Sequence, residues 1–229
     1  MNILTNIFEK IPEWSLKNDL RYFLAFNKFV PNAISNISPI NGYIKYYIPK
    51  KGDIIVDAGA YPGDYAVFAC RKIGKTGKII CFEPDPKNRE ILRKNLKKEG
   101  LNNFIIVPKG LWNKNTTLNL ETQDGLHSSL SNKSLGITIE VVRLDDELKK
   151  LGIKKIDILK MDIEGAEIEA VEGAVETLKK DKPHVTIASY HIVNGKQTSN
   201  YIEEFLSDLG YKTFSDFPKH LTTYGLKNA

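Results

Sequence analysis

Four groups of residues in this chain have the types and spacing to do chemistry. The first is Asp57-Ala58-Gly59-Ala60-Tyr61-Pro62-Gly63, between the apolar run Ile54-Ile55-Val56 and a helical stretch. Glycine lets a backbone approach a ligand closely, and a helix start offers unpaired N–H groups to an anion. The second is Glu83, directly after the apolar run Lys78 to Phe82. A carboxylate at a second strand end accepts both hydroxyls of a ribose, so loop and carboxylate together imply a nucleoside-containing cofactor. The third is Lys160-Met161-Asp162-Ile163-Glu164-Gly165-Ala166-Glu167. Like charges set so close are costly to bury unless paired or functional. Glu164 and Glu167 also suit the first turn of the next helix, where the dipole favours anions, whereas Asp162 precedes that helix and faces the strand ends. The fourth is Ser189-Tyr190-His191. An imidazole there is a candidate general base, because histidine titrates near neutral pH. His127, within Gly125 to Leu130, is a second polar loop candidate, while His184 and His220 carry no assigned role.

Charge decides which nucleoside cofactor is expected. A dinucleotide fold wants Gly-x-Gly-x-x-Gly so that the pyrophosphate can lie on the helix terminus. Here Tyr61 stands at the second glycine position, and Asp57 would repel a pyrophosphate. An acidic strand end suits a cofactor with an ammonium and a sulfonium. S-adenosylmethionine (SAM) has both, with a ribose for Glu83 and a carboxylate for the loop N–H groups.

The elements that must position these residues follow from hydrophobic pattern. Short apolar runs (Ile54 to Val56, Lys78 to Phe82, Phe104 to Val107, Ile156 to Met161, Val185 to Ala188) alternate with helical stretches. The helices are expected over Asp64 to Ile73, Pro86 to Lys98, Asp145 to Leu151, Ala166 to Lys180 and Tyr201 to Leu209. This alternation predicts an α/β, Rossmann-like, doubly wound, mostly parallel sheet with helices on both faces. Thr116 to Leu120 and Ile137 to Val142 alternate apolar with polar and predict an inserted antiparallel pair. Lys212 to Phe214 and Leu221 to Tyr224 predict a long antiparallel hairpin at the sheet edge. Residues 1–50 are aromatic-rich and broken by prolines. They predict an N-terminal extension or cap with a helix near 14–29 and a short strand over Tyr43 to Ile48, ahead of the main domain at 51–229. Aromatics of that extension, with Trp112, are available to stack on a substrate, but burying the extension against the sheet explains them more simply.

Composition narrows the class. The chain has 229 residues, 41% hydrophobic and 27% charged, which is ordinary globular usage and argues against disorder. A net charge of +5 permits an anionic partner without requiring one. No apolar run reaches membrane-spanning length, and no secretory leader is expected. The N-terminal helix allows at most weak contact with a membrane surface. Cys70 and Cys81 read as apolar packing in a reducing, cytoplasmic compartment, with no zinc-type spacing.

Taken in order, Val56-Asp57-Ala58-Gly59-Ala60 with Gly63-Asp64-Tyr65, Phe82-Glu83-Pro84, Ser128-Ser129-Leu130, Val142-Arg143-Leu144-Asp145-Asp146, Lys160 to Glu167 and His191 resemble the FkbM family of SAM-dependent methyltransferases. The likeness spans roughly Asp53 to His191. It implies a seven-stranded class I methyltransferase sheet and O-methyl transfer, often to sugar hydroxyls of natural products or glycans. By motif it implies SAM contacts from Asp57, Gly59, Ala60, Gly63, Tyr65, Glu83 and Asp162. It places Asp162 and His191 near the methyl-transfer centre, and Ser128, Ser129 and Glu164 beside the acceptor. Tyr61-Pro62 departs from the small or polar residues usual in that glycine loop.

The expected chemistry is an in-line displacement with His191 as base, Asp162 orienting the hydroxyl or the imidazole, and no required metal. Asp162 and Glu164 are the residues a Mg²⁺ ion would use. Two other classes compete: an RNA methyltransferase, suggested by Lys87, Arg89, Arg93, Lys94, Lys97 and Lys98, and a non-catalytic SAM- or glycan-binding module. The first predicts steep salt dependence, and the second predicts loss of Asp162 or His191, both of which are present.

Overall fold

The computed structural model describes residues 39–122, 128–131, 137–193 and 195–227, and the labels below count the elements within them. The helix expected near 14–29 and His127 lie outside the described residues. Pro39 opens helix α1 (Pro39–Tyr43), its fixed φ suiting the first helical position. Then come β1 (Ile54–Ala58), α2 (Asp64–Ile73), β2 (Lys78–Phe82), α3 (Pro86–Lys98) and β3 (Phe104–Val107). An inserted block follows, with β4 (Gly110–Leu111), β5 (Thr116–Thr122), β6 (Ser128–Ser131) and β7 (Ile137–Val142). The core resumes with α4 (Leu144–Lys150), β8 (Ile158–Met161), α5 (Glu167–Glu172), α6 (Val175–Asp181) and β9 (His184–Ala188). The small ribbon β10 (Ile192–Val193) and β11 (Lys196–Gln197) leads into α7 (Thr198–Asp208), β12 (Lys212–Asp216) and β13 (Thr222–Leu226).

The main sheet has seven strands in the order β12-β13-β9-β8-β1-β2-β3. Strands β3, β2, β1, β8 and β9 run parallel, and β13 runs antiparallel to both β9 and β12. This is the expected doubly wound sheet with its antiparallel hairpin at one side. Each central strand is apolar on both faces because each face carries a core. Val56, Ala58, Leu159 and Met161 pack on one side, and Ile55, Ile158, Ala66 and Cys81 on the other. Chain order reverses between β1 and β8, the switch point where open α/β sheets hold ligands beyond the strand ends.

The inserted pair proved to be part of a separate four-stranded sheet, β4-β7-β5-β6. Strand β6 contains Ser128 and Ser129, which sequence had placed in a polar loop.

Two expected elements differ from the structure. Tyr43 to Ile48 form no strand. Tyr43, Tyr46 and Tyr47 recur at the spacing of a turn, and each hydroxyl finds a different carboxylate: Asp162, Asp216 and Asp53. The helix expected over Ala166 to Lys180 is broken into α5 and α6. At the break, a Cβ on Gly173 would stand 2.0 Å from the Trp112 carbonyl oxygen, so the inserted block crosses there. Asp145 then caps α6, accepting from the Glu176 and Thr177 amides at 3.0 and 2.8 Å.

Candidate active site

The cleft lies beyond the carboxyl ends of β1, β2 and β8. It is bordered by Ala58, Gly59, Tyr61, Glu83, Asn88, Asp162 and Glu164, and its far wall comes from the inserted block through Leu111, Leu120, Ile139 and Val141. Gly59 is required here. Its φ is +71°, and a Cβ would stand 1.7 Å from the Asp162 carbonyl oxygen, so two chain segments cross at van der Waals limit. The Gly59 and Ala60 amides both donate to the Phe82 carbonyl, at 3.1 and 3.4 Å. Gly63 caps α2 in the left-handed conformation, and Asn95 Nδ2 holds the loop by donating to the Pro62 carbonyl at 2.9 Å.

Glu83 leaves β2 at the cleft floor. Burial pushes its carboxyl up to about 7, although it accepts from the Asp85 amide at 3.1 Å. Asp85 in turn caps α3, which fixes the Glu83-Pro84-Asp85 turn.

Asp57 occupies a different place from the one expected. Strand alternation sends it to the Ile55 face, beneath α2 and away from the cleft, where it is fully buried. Lys160, its register partner on β8, puts Nζ 2.9 Å from Asp57 Oδ1 and donates to the Gly59 carbonyl at 2.9 Å. Burial raises the Asp57 carboxyl, and Lys160 opposes that rise. Tyr65 and Tyr43 flank the same ammonium, with ring centroids 6.0 and 5.0 Å from it. The negative charge expected to meet the cofactor at this strand is therefore already matched by a lysine. Tyr65, Ala60 and Gly63 likewise support the loop from behind and do not border the cleft.

Asp162 is the carboxylate left facing the cleft. Its Oδ2 accepts from Tyr43 Oη at 2.7 Å, with His220 Nε2 at 3.7 Å, an ion-pair distance. Oδ1 is buried and has no hydrogen-bond partner among the described residues. Burial would raise this carboxyl, but His220, Lys160 and Tyr43 outweigh it and hold it at about 2.

His191 is clamped between two carboxylates. Nε2 lies 3.3 Å from Glu164 Oε2, and Nδ1 lies 3.1 Å from Glu167 Oε1. Glu167 is itself fixed by the Ile163 and Gly165 amides at 3.1 and 3.2 Å. Burial lowers the imidazole's pKa, yet the two carboxylates lift it to about 10. An imidazole that stays protonated at neutral pH holds carboxylates in place and is badly suited to take a proton. Asp162, Glu164 and His191 each bring one donor atom within 4.8 Å of the others, but His191 already supplies a positive charge there.

Ser128 and Ser129 pair through their backbones with Thr122 and Glu121. The same register sets Leu130 opposite Leu120 on the cleft wall. Sequence reasoning missed Tyr43 and His220 as site residues and Lys160 as the partner of Asp57. The period-two alternation of β1 and β8 was the signal for the last of these. Nothing local marks the first two, because they reach Asp162 from the two flanks of the core.

A family model described as the methyltransferase FkbM domain matches residues 57–213, most of the chain. The chain belongs to the FkbM methyltransferase family. Among solved structures it is similar to methyltransferase FkbM from Methylobacillus flagellatus KT, with TM-score 0.59 and 16% identity. That match covers 88% of this chain and 47% of the other, so this FkbM domain spans about half of that protein's length. It is also similar to Aeropyrum pernix fibrillarin with natively bound SAM (TM-score 0.56, 15% identity, 84% and 76% covered). A third likeness is to precorrin-6y C5,15-methyltransferase from Geobacter metallireducens GS-15 (TM-score 0.51, 16% identity, 83% and 77% covered). At such identities these neighbours establish the fold, that of SAM-dependent methyltransferases. SAM is the cofactor of this class, and the cleft is bordered by two carboxylates, Glu83 just after β2 and Asp162 just after β8.

Proposed function

We propose that this FkbM enzyme transfers a methyl group from SAM to a hydroxyl of a sugar, glycan or related small molecule. One observation carries the choice of acceptor: the cleft edge beside Asp162 is acidic. Asp162 and Glu164 border it, and Glu167 lies directly behind. Carboxylates accept hydrogen bonds from hydroxyls, and they repel phosphates. A hydroxyl-rich acceptor therefore suits this edge better than a nucleic-acid backbone.

In this reading Glu83 takes the ribose hydroxyls, whose donation restores the hydration that burial removed. Tyr61 and Asn88 line the adenosine end, and the Leu111, Ile139 and Val141 wall excludes water. SAM supplies an electrophilic methyl on a cationic sulfur. Asp162 is the available counter-charge, because Lys160 neutralises Asp57. It also accepts the acceptor's proton. As the hydroxyl oxygen bonded to the methyl carbon and the carbon–sulfur bond broke, leaving S-adenosylhomocysteine, the oxygen would become positively charged and its proton acidic enough for a weakly basic carboxylate. Holding the acceptor oxygen in line is the larger effect, worth about 7–11 kcal/mol. His191 keeps Glu164 and Glu167 in register, and Ser128 and Ser129 contribute from the inserted sheet.

The test is titration with SAM and with NAD by calorimetry, followed by incubation of labelled SAM with nucleotide sugars, lipid-linked glycans and tRNA. SAM binding without NAD binding, with label on a sugar-bearing acceptor, is expected. Label on tRNA alone would replace this acceptor class with RNA.

A further inference from the structure

Asp162 is served by two residues that lie outside the segment matched by the family model, Tyr43 before it and His220 after it. Tyr43 closes α1, and His220 ends the short 3₁₀ turn (Pro218–His220) between β12 and β13. Both converge on one oxygen, Oδ2. Tyr43 Oη donates to it at 2.7 Å, and His220 Nε2 lies 3.4 Å from that hydroxyl and 3.7 Å from Oδ2. The rings brace one another: Tyr43 meets His220 edge-on at 5.4 Å, and His220 meets Tyr190 at 4.7 Å.

The two flanks are also locked together. Tyr224 Oη donates to the Gly42 carbonyl at 2.8 Å. Lys45 and Tyr46 both reach Asp216, and the Phe217 ring lies 3.0 Å from where a Gly42 Cβ would stand. Neither Tyr43 nor His220 borders the cleft, whereas Asp162 does.

We infer that Tyr43 and His220 are positioning residues that fix the Asp162 carboxylate at the cleft edge, where its charge meets the positively charged sulfur of SAM. The inference rests on the reading under Proposed function. It makes this chain's α1 and C-terminal hairpin part of the machinery that tells the charged cofactor from its neutral product. S-adenosylhomocysteine has the same adenosine and amino-acid groups as SAM but lacks the methyl group and the sulfonium charge, so a change in the ratio of the two affinities on substitution reports on the charge presented to the sulfur.

The experiment measures both dissociation constants by calorimetry for the full chain and for Tyr43→Phe, which keeps the ring and removes only the donor. His220→Gln, which keeps an N–H, and His220→Leu, which does not, serve as a second pair. Tyr43→Phe and His220→Leu are expected to cut the preference for SAM over S-adenosylhomocysteine by about tenfold, the scale of one hydrogen bond to a charged group. Affinity for S-adenosylhomocysteine stays within twofold, and His220→Gln restores most of the preference. If both ligands weaken together, or neither changes, the residues are structural and the inference is overturned. A misfolded His220→Leu leaves Tyr43→Phe to decide. If the unsubstituted chain binds neither ligand, the cofactor reading itself fails and takes this inference with it.

Discussion

Burial is the largest influence on the Glu83 carboxyl, so it must show in the pH dependence of cofactor binding. Its carboxyl sits at about 7 in the free protein because burial disfavours the charge. Ribose hydroxyls donate to the ionised form, so binding lowers that value. Affinity for SAM is therefore full above pH 7 and falls as pH drops below it, by up to about tenfold between pH 8 and pH 6. Calorimetry at those two values should show this, and Glu83→Gln should bind more weakly with no such slope. The place of Glu83 in the cleft was legible in the sequence because it depends only on following a strand. The expected roles of Asp57 and His191 depended on unseen neighbours. Asp57 meets Lys160 through strand register, and His191 meets Glu164 and Glu167 through the loop after β8. The same residue types in the same motif thus give a buried ion pair and a clamped imidazolium, in place of a free anion and a neutral base.

Among the elements, the five parallel strands were readable because each is a short apolar run between turn signals, and β12 and β13 as an antiparallel hairpin, whereas helix ends and the edge of the N-terminal segment were not. The α5–α6 break is the clearest case. No residue in Ala166 to Lys180 forces it except Gly173, whose missing side chain matters only because Trp112 passes overhead. The motif Val142-Arg143-Leu144-Asp145-Asp146 is explained at the same place. Asp145 is buried and accepts from the Glu176 amide, the Thr177 amide and Thr177 Oγ1, the last at 2.6 Å. It holds the start of α6 from a different helix and lies away from the cleft. Asp145→Ala strands three donors, at roughly 1 kcal/mol or more each. The expected loss is about 3 kcal/mol, or roughly 6–12 °C in melting temperature for a chain of this size. SAM affinity of the folded protein should not move. Thermal melting alongside calorimetry separates the two, and an unchanged melting point would make Asp145 something other than a cap.

Across the whole molecule, charge is divided between two surfaces. The chain carries +5 overall, yet the cleft edge is acidic, and the excess positive charge is conspicuous on α3. There Leu92 and Leu96 are buried, while Lys87, Arg93, Lys94, Lys97 and Lys98 face solvent together with Glu90. Arg89 turns inward to the Glu83 and Pro84 carbonyls. This is the outer face of an amphipathic helix, with Leu92 and Leu96 packed in the core beneath it. Were that face the seat of an RNA acceptor, about five phosphates would be neutralised. Raising salt from 50 to 200 mM would then weaken acceptor binding by roughly 100- to 500-fold. A sugar acceptor held by carboxylates at Asp162 and Glu164 releases almost no counterions. Its Michaelis constant is expected to change by less than about threefold over the same range, because short contacts inside a cleft are poorly screened. Steady-state assays at the two salt concentrations, on whichever acceptor takes the label, therefore show which of the two charged surfaces meets it.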